Sequence, residues 1–304
     1  MISPLRVSCL AFLAPLLFVL LSGCDRRPPT GPPVRIGYMN CNSAAETLAR
    51  FGPLTRYLSL KLGVPFEAVP VDTMDFEQRY AAGEFAFTHT NSVLYIMLKH
   101  DHDLQLVATE SRGQFGPRTA GAIIVRRDSP IRTLQELRGK RMIFGPQLAP
   151  TGYMAQYDLM LKAGLDPERD LGFSTIPSGS FKHEKLIYGV YLGAYDAAAA
   201  PVLDLETMTR EGKISADDFR ILAQSEIIPY CTFGSAKNTD PALVEKFRQA
   251  LLELTPETTV EIDGQRLKVL GSAWVDGFTR LEDKDYDPVR AMARRTNMPP
   301  YQVY

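Results

Sequence analysis

The stretch AIIVRRDSPIRTLQELRGKRMIFG, residues 122–145, reads as strand, short helix, strand. The apolar run 121–126 has the length and β-branched content of a buried strand. Thr133, with Glu136 three positions on, forms a capping box that starts a helix; Gly139 ends it, and KRMIF (140–144) is the next strand. A helix between two apolar strands is the crossover unit of a parallel sheet.

The same alternation runs outward in both directions. Upstream lie a strand at 34–39 (VRIGYM), a helix opening at Pro53 and stopping at Gly63, a strand at 64–71, a helix at 74–82, a strand at 85–88, a helix at 92–99 and a strand at 104–109. Leu54, Tyr57, Leu58 and Leu62 give the first of these helices one apolar face. Downstream follow a helix at 151–163 ended by Gly164, a strand at 172–176, a helix at 182–192, strands at 194–200 and 219–224, and a helix from Pro241 to Leu254. This predicts an α/β fold of mostly parallel sheets flanked by helices. At 304 residues, two sheets are more natural than one. Ligands of open α/β sheets bind at the carboxyl ends of strands, here the loops after Met39, Thr88, Phe144, Ile176 and Ala200.

Composition narrows the function classes. With 45% hydrophobic and 23% charged residues the chain can build packed cores, which excludes a disordered protein. Its 34 Lys plus Arg against 35 Asp plus Glu give a net charge of −1, without the basic surplus of a nucleic-acid binder. Residues 1–23 read as a secretory signal: Arg6, an uncharged apolar run 7–21 broken by Pro15, then Ser22 and Gly23. LSGC (21–24) matches the bacterial lipobox, so Cys24 is expected to carry lipid. Asp25 beside it matches the signal that retains lipoproteins at the periplasmic face of the inner membrane. The Pro-rich residues 24–33 then form an extended tether. Cleavage leaves 33 basic against 35 acidic residues, a balance of −2. Cys41 and Cys231 remain, either as a disulfide or as two thiols.

Catalytic and metal patterns fail one by one. GxSxG, GxGxxG and the phosphate-loop motif are absent. HEKLI (183–187) has Ile187 where a zinc helix needs its second His. Asp283, Asp285 and Asp287 begin like a calcium loop, but Pro288 stands where Gly is required, leaving a solvated acidic turn. His100 and His102 lack a third ligand at matching spacing. No catalytic residue, metal or cofactor is expected, and the remaining features are those of a binding protein.

Residues 34 to about 255 resemble the phosphonate, phosphite and phosphate-ester substrate-binding proteins of ABC transporters. The landmarks occur in order: RIGYM, then FGPLTRYLSLKLGVPFEAV (51–69), AAGEFAFTHTNSVLYI (81–96) with Tyr95 at the family Tyr, the 122–145 stretch itself, TGYMAQYDLMLKAGLDPERDL (151–171), and His183 with YDAAAA (195–200). The resemblance implies a two-lobed type II periplasmic binding fold with a ligand cleft between the lobes. Lobe 1 would comprise 34–120 plus 228–304 and lobe 2 would be 121–227, hinged near 119–124 and 227–233. A monomer would close on a small oxyanion and deliver it to an ABC permease in the inner membrane. An orphan sensor signalling to a membrane kinase, or a binder of a different small organic ligand, are the alternatives.

The site residues this implies can be given physical roles. Thr151 and Gly152 open a helix whose free N–H groups and dipole favour an anion, and His183 opens the next helix in the facing loop. Tyr38, Tyr95 and Tyr153 can supply walls and phenolic donors, and Asp204 can meet a cationic group on a ligand. The family's Ser-Thr-Ser run is replaced here by Ala149, Pro150 and Thr151, which removes two hydroxyl donors. His89, Asn91 and Ser92 stand where the family has other residues and are the expected replacement donors, with Arg112 and Arg118 in a nearby loop.

Overall fold

The computed structural model describes residues 29–177 and 182–297; the leader, Cys24 and the start of the tether lie outside them. Along the chain, β1 (Val34–Met39), α1 (Ala44–Leu62), β2 (Phe66–Val71), α2 (Phe76–Ala81), β3 (Phe87–Thr90), α3 (Ser92–His102) and β4 (Gln105–Ser111) build most of one sheet. The short β5 (Arg118–Thr119) leads into a second, made by β6 (Gly121–Arg126), β7 (Arg141–Ile143), α4 (Ala155–Lys162), α5 (Pro167–Asp170), β8 (Phe173–Thr175), α6 (Glu184–Tyr191), β9 (Ala197–Pro201), α7 (Val202–Arg210) and β10 (Phe219–Gln224). β11 (Ile228–Pro229) pairs with β5 and returns the chain to the first sheet. There follow β12 (Thr232–Ser235), α8 (Pro241–Leu252), the hairpin β13 (Thr259–Ile262) and β14 (Gln265–Lys268), α9 (Val269–Ala273), β15 (Gly277–Thr279) and α10 (Asp287–Thr296).

The first sheet has the order β15-β4-β12-β3-β1-β2 and the second β10-β6-β9-β7-β8. The two-sheet α/β layout matches the sequence reading, but the sheets are mixed. β1 runs parallel to β2 and β3, and β7 to β8 and β9, whereas β6 and β12 run against both of their neighbours. These are the strands by which the chain enters one sheet and re-enters the other, and such crossings reverse the strand direction.

Three sequence expectations are corrected. Helix α1 starts at Ala44 and not at Pro53: Ser43 is its N-cap, accepting from the Glu46 N–H, and Pro53 sits inside the helix at the loss of one backbone bond. The 283–287 acidic turn is not simply solvated: Asp283 and Asp287, with side chains 48% and 68% exposed, pair with Arg290, Asp283 also accepts from Tyr95, and Asp285 pairs with Arg118. Beyond them α10, which the sequence reading omitted, buries Val289, Met292, Ala293 and Thr296 as one stripe.

Separate apolar clusters lie in the two halves, around Tyr38, Phe87, Phe233 and Phe247 in one and around Ile124, Ile187 and Ala198 in the other. A third is continuous across both halves and contains Tyr95, Ile123, Tyr153 and Met292. Helix α10 completes it. The Arg295 guanidinium donates to both Asp158 carboxylate oxygens on α4, at 2.6 and 3.1 Å, and Tyr286 packs its ring 4.2 Å from that of Tyr95 on α3.

Gln156 ties the second half together. Fully buried, it donates from Nε2 to the carbonyls of Thr151, Ala122 and Ala200 at 2.6, 3.2 and 3.3 Å. A Cβ at Gly121 would lie 2.5 Å from that nitrogen. Gly121→Ala should therefore cost about 1–3 kcal/mol by overpacking, read from urea unfolding. Gly52→Ala in α1, where a Cβ meets nothing within 4 Å, should instead stabilise by about 0.5–1 kcal/mol.

Candidate ligand-binding site

Between the two halves lies a cavity of about 640 Å3, within the usual range for small-molecule sites. Its walls come from the loop after β1, α1, the start of α3, the 146–151 loop, the starts of α6 and α7, and the β11–β12 crossing.

The wall from the second half is built on backbone and histidine. Residues 150–154 form a single wide helical turn that continues into α4, so Thr151 and Gly152 lie at the N-terminal end of a helical run. His183 lies over this turn: a Cβ on Gly152 would be 2.8 Å from His183 Nε2, so only glycine permits the approach. His183 Nδ1 and Asp204 Oδ2 are 3.1 Å apart, which places the Nδ1 proton toward the carboxylate. Nε2 then donates to an anion when the ring is imidazolium. Asp204 thus orients His183 rather than standing free for a ligand cation.

The wall from the first half supplies donors without partners. Asn91 is committed: its Oδ1 accepts from the Val93 and Leu94 N–H groups as the α3 cap, and its Nδ2 donates to the Leu148 carbonyl across the cavity. The neighbouring Ser92 hydroxyl is buried with no hydrogen-bond partner, as are Thr119 Oγ1 and Arg50 Nε on the same wall and, from the second half, Thr207 Oγ1. A buried polar atom left unpaired costs about 1–3 kcal/mol, which a ligand accepting from it recovers. Arg50 is 9% exposed, donates from Nη2 to the Ala273 carbonyl, and has its guanidinium carbon 4.8 Å from the Phe51 ring centre and 4.5 Å from that of Trp274. Among the described residues no carboxylate lies at ion-pair distance from Arg50 or from the cavity-lining Arg112. Lys182, by contrast, reaches across to Glu46 at 3.3 Å and links the two halves.

The thiols of Cys41 and Cys231 both line the cavity and are unpaired. Burial pushes each above the ordinary range, partly offset at Cys41 by the Arg50 guanidinium beside it.

Four expected site residues lie elsewhere. Tyr38 is fully buried on β1, hydrogen-bonded to Thr55 and stacked on Phe51. Tyr95 donates to Asp283, and Tyr153 packs between Phe144 and Tyr157. His89 sits behind the wall, 2.9 Å from Glu110. Aromatic rings on strands and helices that face the interior fill cores first, and sequence alone does not separate that role from lining a cleft. Arg118 is bound to Asp285 at 2.7 Å. Sequence reasoning passed over Arg50, because a helix starting at Pro53 left it outside. It also passed over Trp274, although the only tryptophan of a sequence is a conspicuous signal.

Two α/β halves joined by paired crossing strands around a small-molecule cavity make a solute-binding architecture. The chain belongs to the periplasmic substrate-binding proteins of phosphonate ABC transporters, whose family model matches residues 36–286. Among the described residues no helix is long and apolar enough to cross a membrane. Similar folds are PhnD1 from Prochlorococcus marinus in complex with methylphosphonate (TM-score 0.72, 15% identity, 87% of this chain and 98% of that one) and XAC2383 from Xanthomonas citri bound to ATP (TM-score 0.70, 17% identity, 88% and 98%). The tetrathionate sensor histidine kinase TtrS of Salmonella typhimurium is 29% identical over 233 residues, 71% of this chain and 38% of that protein. The chain thus spans well under half the length of this curated relative.

Proposed function

We propose that the protein is a lipid-anchored substrate-binding protein that closes on a small oxyanion of the phosphonate, phosphite or phosphate-ester type and hands it to an ABC permease. The observation that carries this is the convergence of the Thr151–Gly152 helix start and His183 Nε2 on one side of a cavity whose other side holds Ser92 and Arg50. An anion bound there is held by helix ends, hydroxyls and local cations, as a chain without a basic surplus requires. Lobes 34–120 plus 228–304 and 121–227 would close about the paired β5 and β11, with contacts from both stabilising the closed state.

The similarity to TtrS favours a second reading, a ligand sensor acting on a membrane kinase, and adds tetrathionate to the oxyanions worth testing. Pull-down of a permease or of a kinase separates the two. The ligand is tested by thermal shift of the purified full-length chain with phosphate, phosphite, methylphosphonate, sulfate, methanesulfonate and tetrathionate. At 100 times its Kd, a true ligand should stabilise by about 2.7 kcal/mol; no shift with any of them sinks the oxyanion reading.

Trp274 offers a second readout, since it is the chain's only tryptophan, lines the cavity and contacts Arg50. A binding oxyanion should change its fluorescence with the same midpoint as the thermal shift. Trp274→Phe should remove the signal while leaving the stabilisation, and a signal that persists would place its source elsewhere.

A further inference from the structure

Behind the cavity wall, side chains from two strands of the first sheet and from the segment entering a third meet. β12 lies between β3 and β4, and this neighbourhood brings His89 of β3, Glu110 of β4 and Cys231, which precedes β12, to one point. Their ligand-type atoms all lie within 4.8 Å of one another, with His89 Nε2 2.9 Å from Glu110 Oε1. All three are buried, at 2%, 1% and 8% exposure. The ring of His89 is wedged against Phe51 and Phe233, with centroids 4.6 and 4.9 Å away, and its Nδ1 has no hydrogen-bond partner. Cys231 is the one of the three that lines the cavity.

An imidazole, a carboxylate and a thiol gathered out of water are costly unless something compensates them. One nitrogen, one oxygen and one sulfur donor form a set suited to a borderline-soft divalent cation of the zinc type. Around tetrahedral zinc, with bonds of about 2.0–2.3 Å, donor atoms stand roughly 3.2–3.8 Å apart, so the three need only small side-chain rotations. With the His89 proton on Nδ1, Nε2 presents its lone pair. Cys231 binds as thiolate, its proton passing to solvent through the cavity.

We propose that His89, Glu110 and Cys231 hold a zinc-type divalent cation in the cavity wall, its fourth position open toward the cavity on the Cys231 side, where an oxyanion oxygen can coordinate. With one carboxylate and one thiolate the site is neutral overall, so it draws the ligand by coordination rather than by net charge. Three protein ligands with one exchangeable position is the open arrangement of zinc sites that act on a ligand, in contrast to closed structural ones.

The test uses the untagged full-length chain, stripped with EDTA and exposed to ZnCl2 or CoCl2 alone. One equivalent of zinc should survive gel filtration, and cobalt should give a thiolate-to-metal charge-transfer band. Cys231→Ser should abolish that band, and Cys231→Ser and Glu110→Gln should each weaken zinc binding by about 10–100-fold or more. No retention by the unaltered chain, bound cobalt without a thiolate band, or retention that survives both substitutions but falls with His100→Ala would overturn the proposal. The cobalt band is read on the unaltered chain, so it does not depend on the variants folding. Because these arms contain no oxyanion, their failure leaves the oxyanion proposal standing.

Discussion

Thr151→Ala and His183→Ala should each weaken the strongest-binding oxyanion of the test panel by about 10- to 150-fold, as loss of one charge-assisted hydrogen bond worth about 1.5–3 kcal/mol requires. Thr151 and His183 lie on one edge of the cavity and converge over Gly152, so Gly152→Val should be at least as damaging: its side chain would enter the space now taken by His183 Nε2. Asp204→Asn should reproduce part of the His183 loss, since it removes the carboxylate that orients the ring. Tyr95→Phe is the discriminating control. Its hydroxyl is given to Asp283 away from the cavity, and its removal should leave affinity unchanged. Calorimetric titration measures all five, and unaltered affinity in both Thr151→Ala and His183→Ala would move the anion site elsewhere.

Met292→Ala should cost about 2–5 kcal/mol, the range for truncating a long apolar side chain in a well-packed core, and lower Tm by several degrees. Met292 is fully buried and joins α10 to the cluster that spans both halves. Arg295→Ala should cost less although it breaks a two-bond pair. Its side chain is 39% exposed, which screens the charge, and Asp158 keeps Lys162 at 2.9 Å. Equilibrium unfolding in urea compares the two, and the reverse order would show that charge rather than packing holds α10 in place.

What was legible in the chain was local. The capping box of Thr133 and Glu136 needs four residues to recognise, and both halves of it are present. Thr151 and His183 could be singled out because helix starts carry free N–H groups whatever the tertiary fold. The mixed sheet direction was not legible, because β12 is four residues long and contains a glycine. Helix α10 has few apolar residues to show, although Val289, Met292 and Ala293 at helical spacing, after Pro288, formed a usable signal. The His89, Glu110 and Cys231 cluster has no motif at all, since its members are drawn together by strand order and not by spacing.

The position of α10 also bears on how the molecule comes into being. Its contacts and those of the turn before it reach back 137 residues to Asp158, 177 to Thr109 and 188 to Tyr95. Loops this long are closed late, because their entropic cost precedes any return from the contacts they make. The shared core therefore waits for the last segment of the described chain to arrive, and a nascent chain that still lacks α10 holds two unfinished halves with their common face still open.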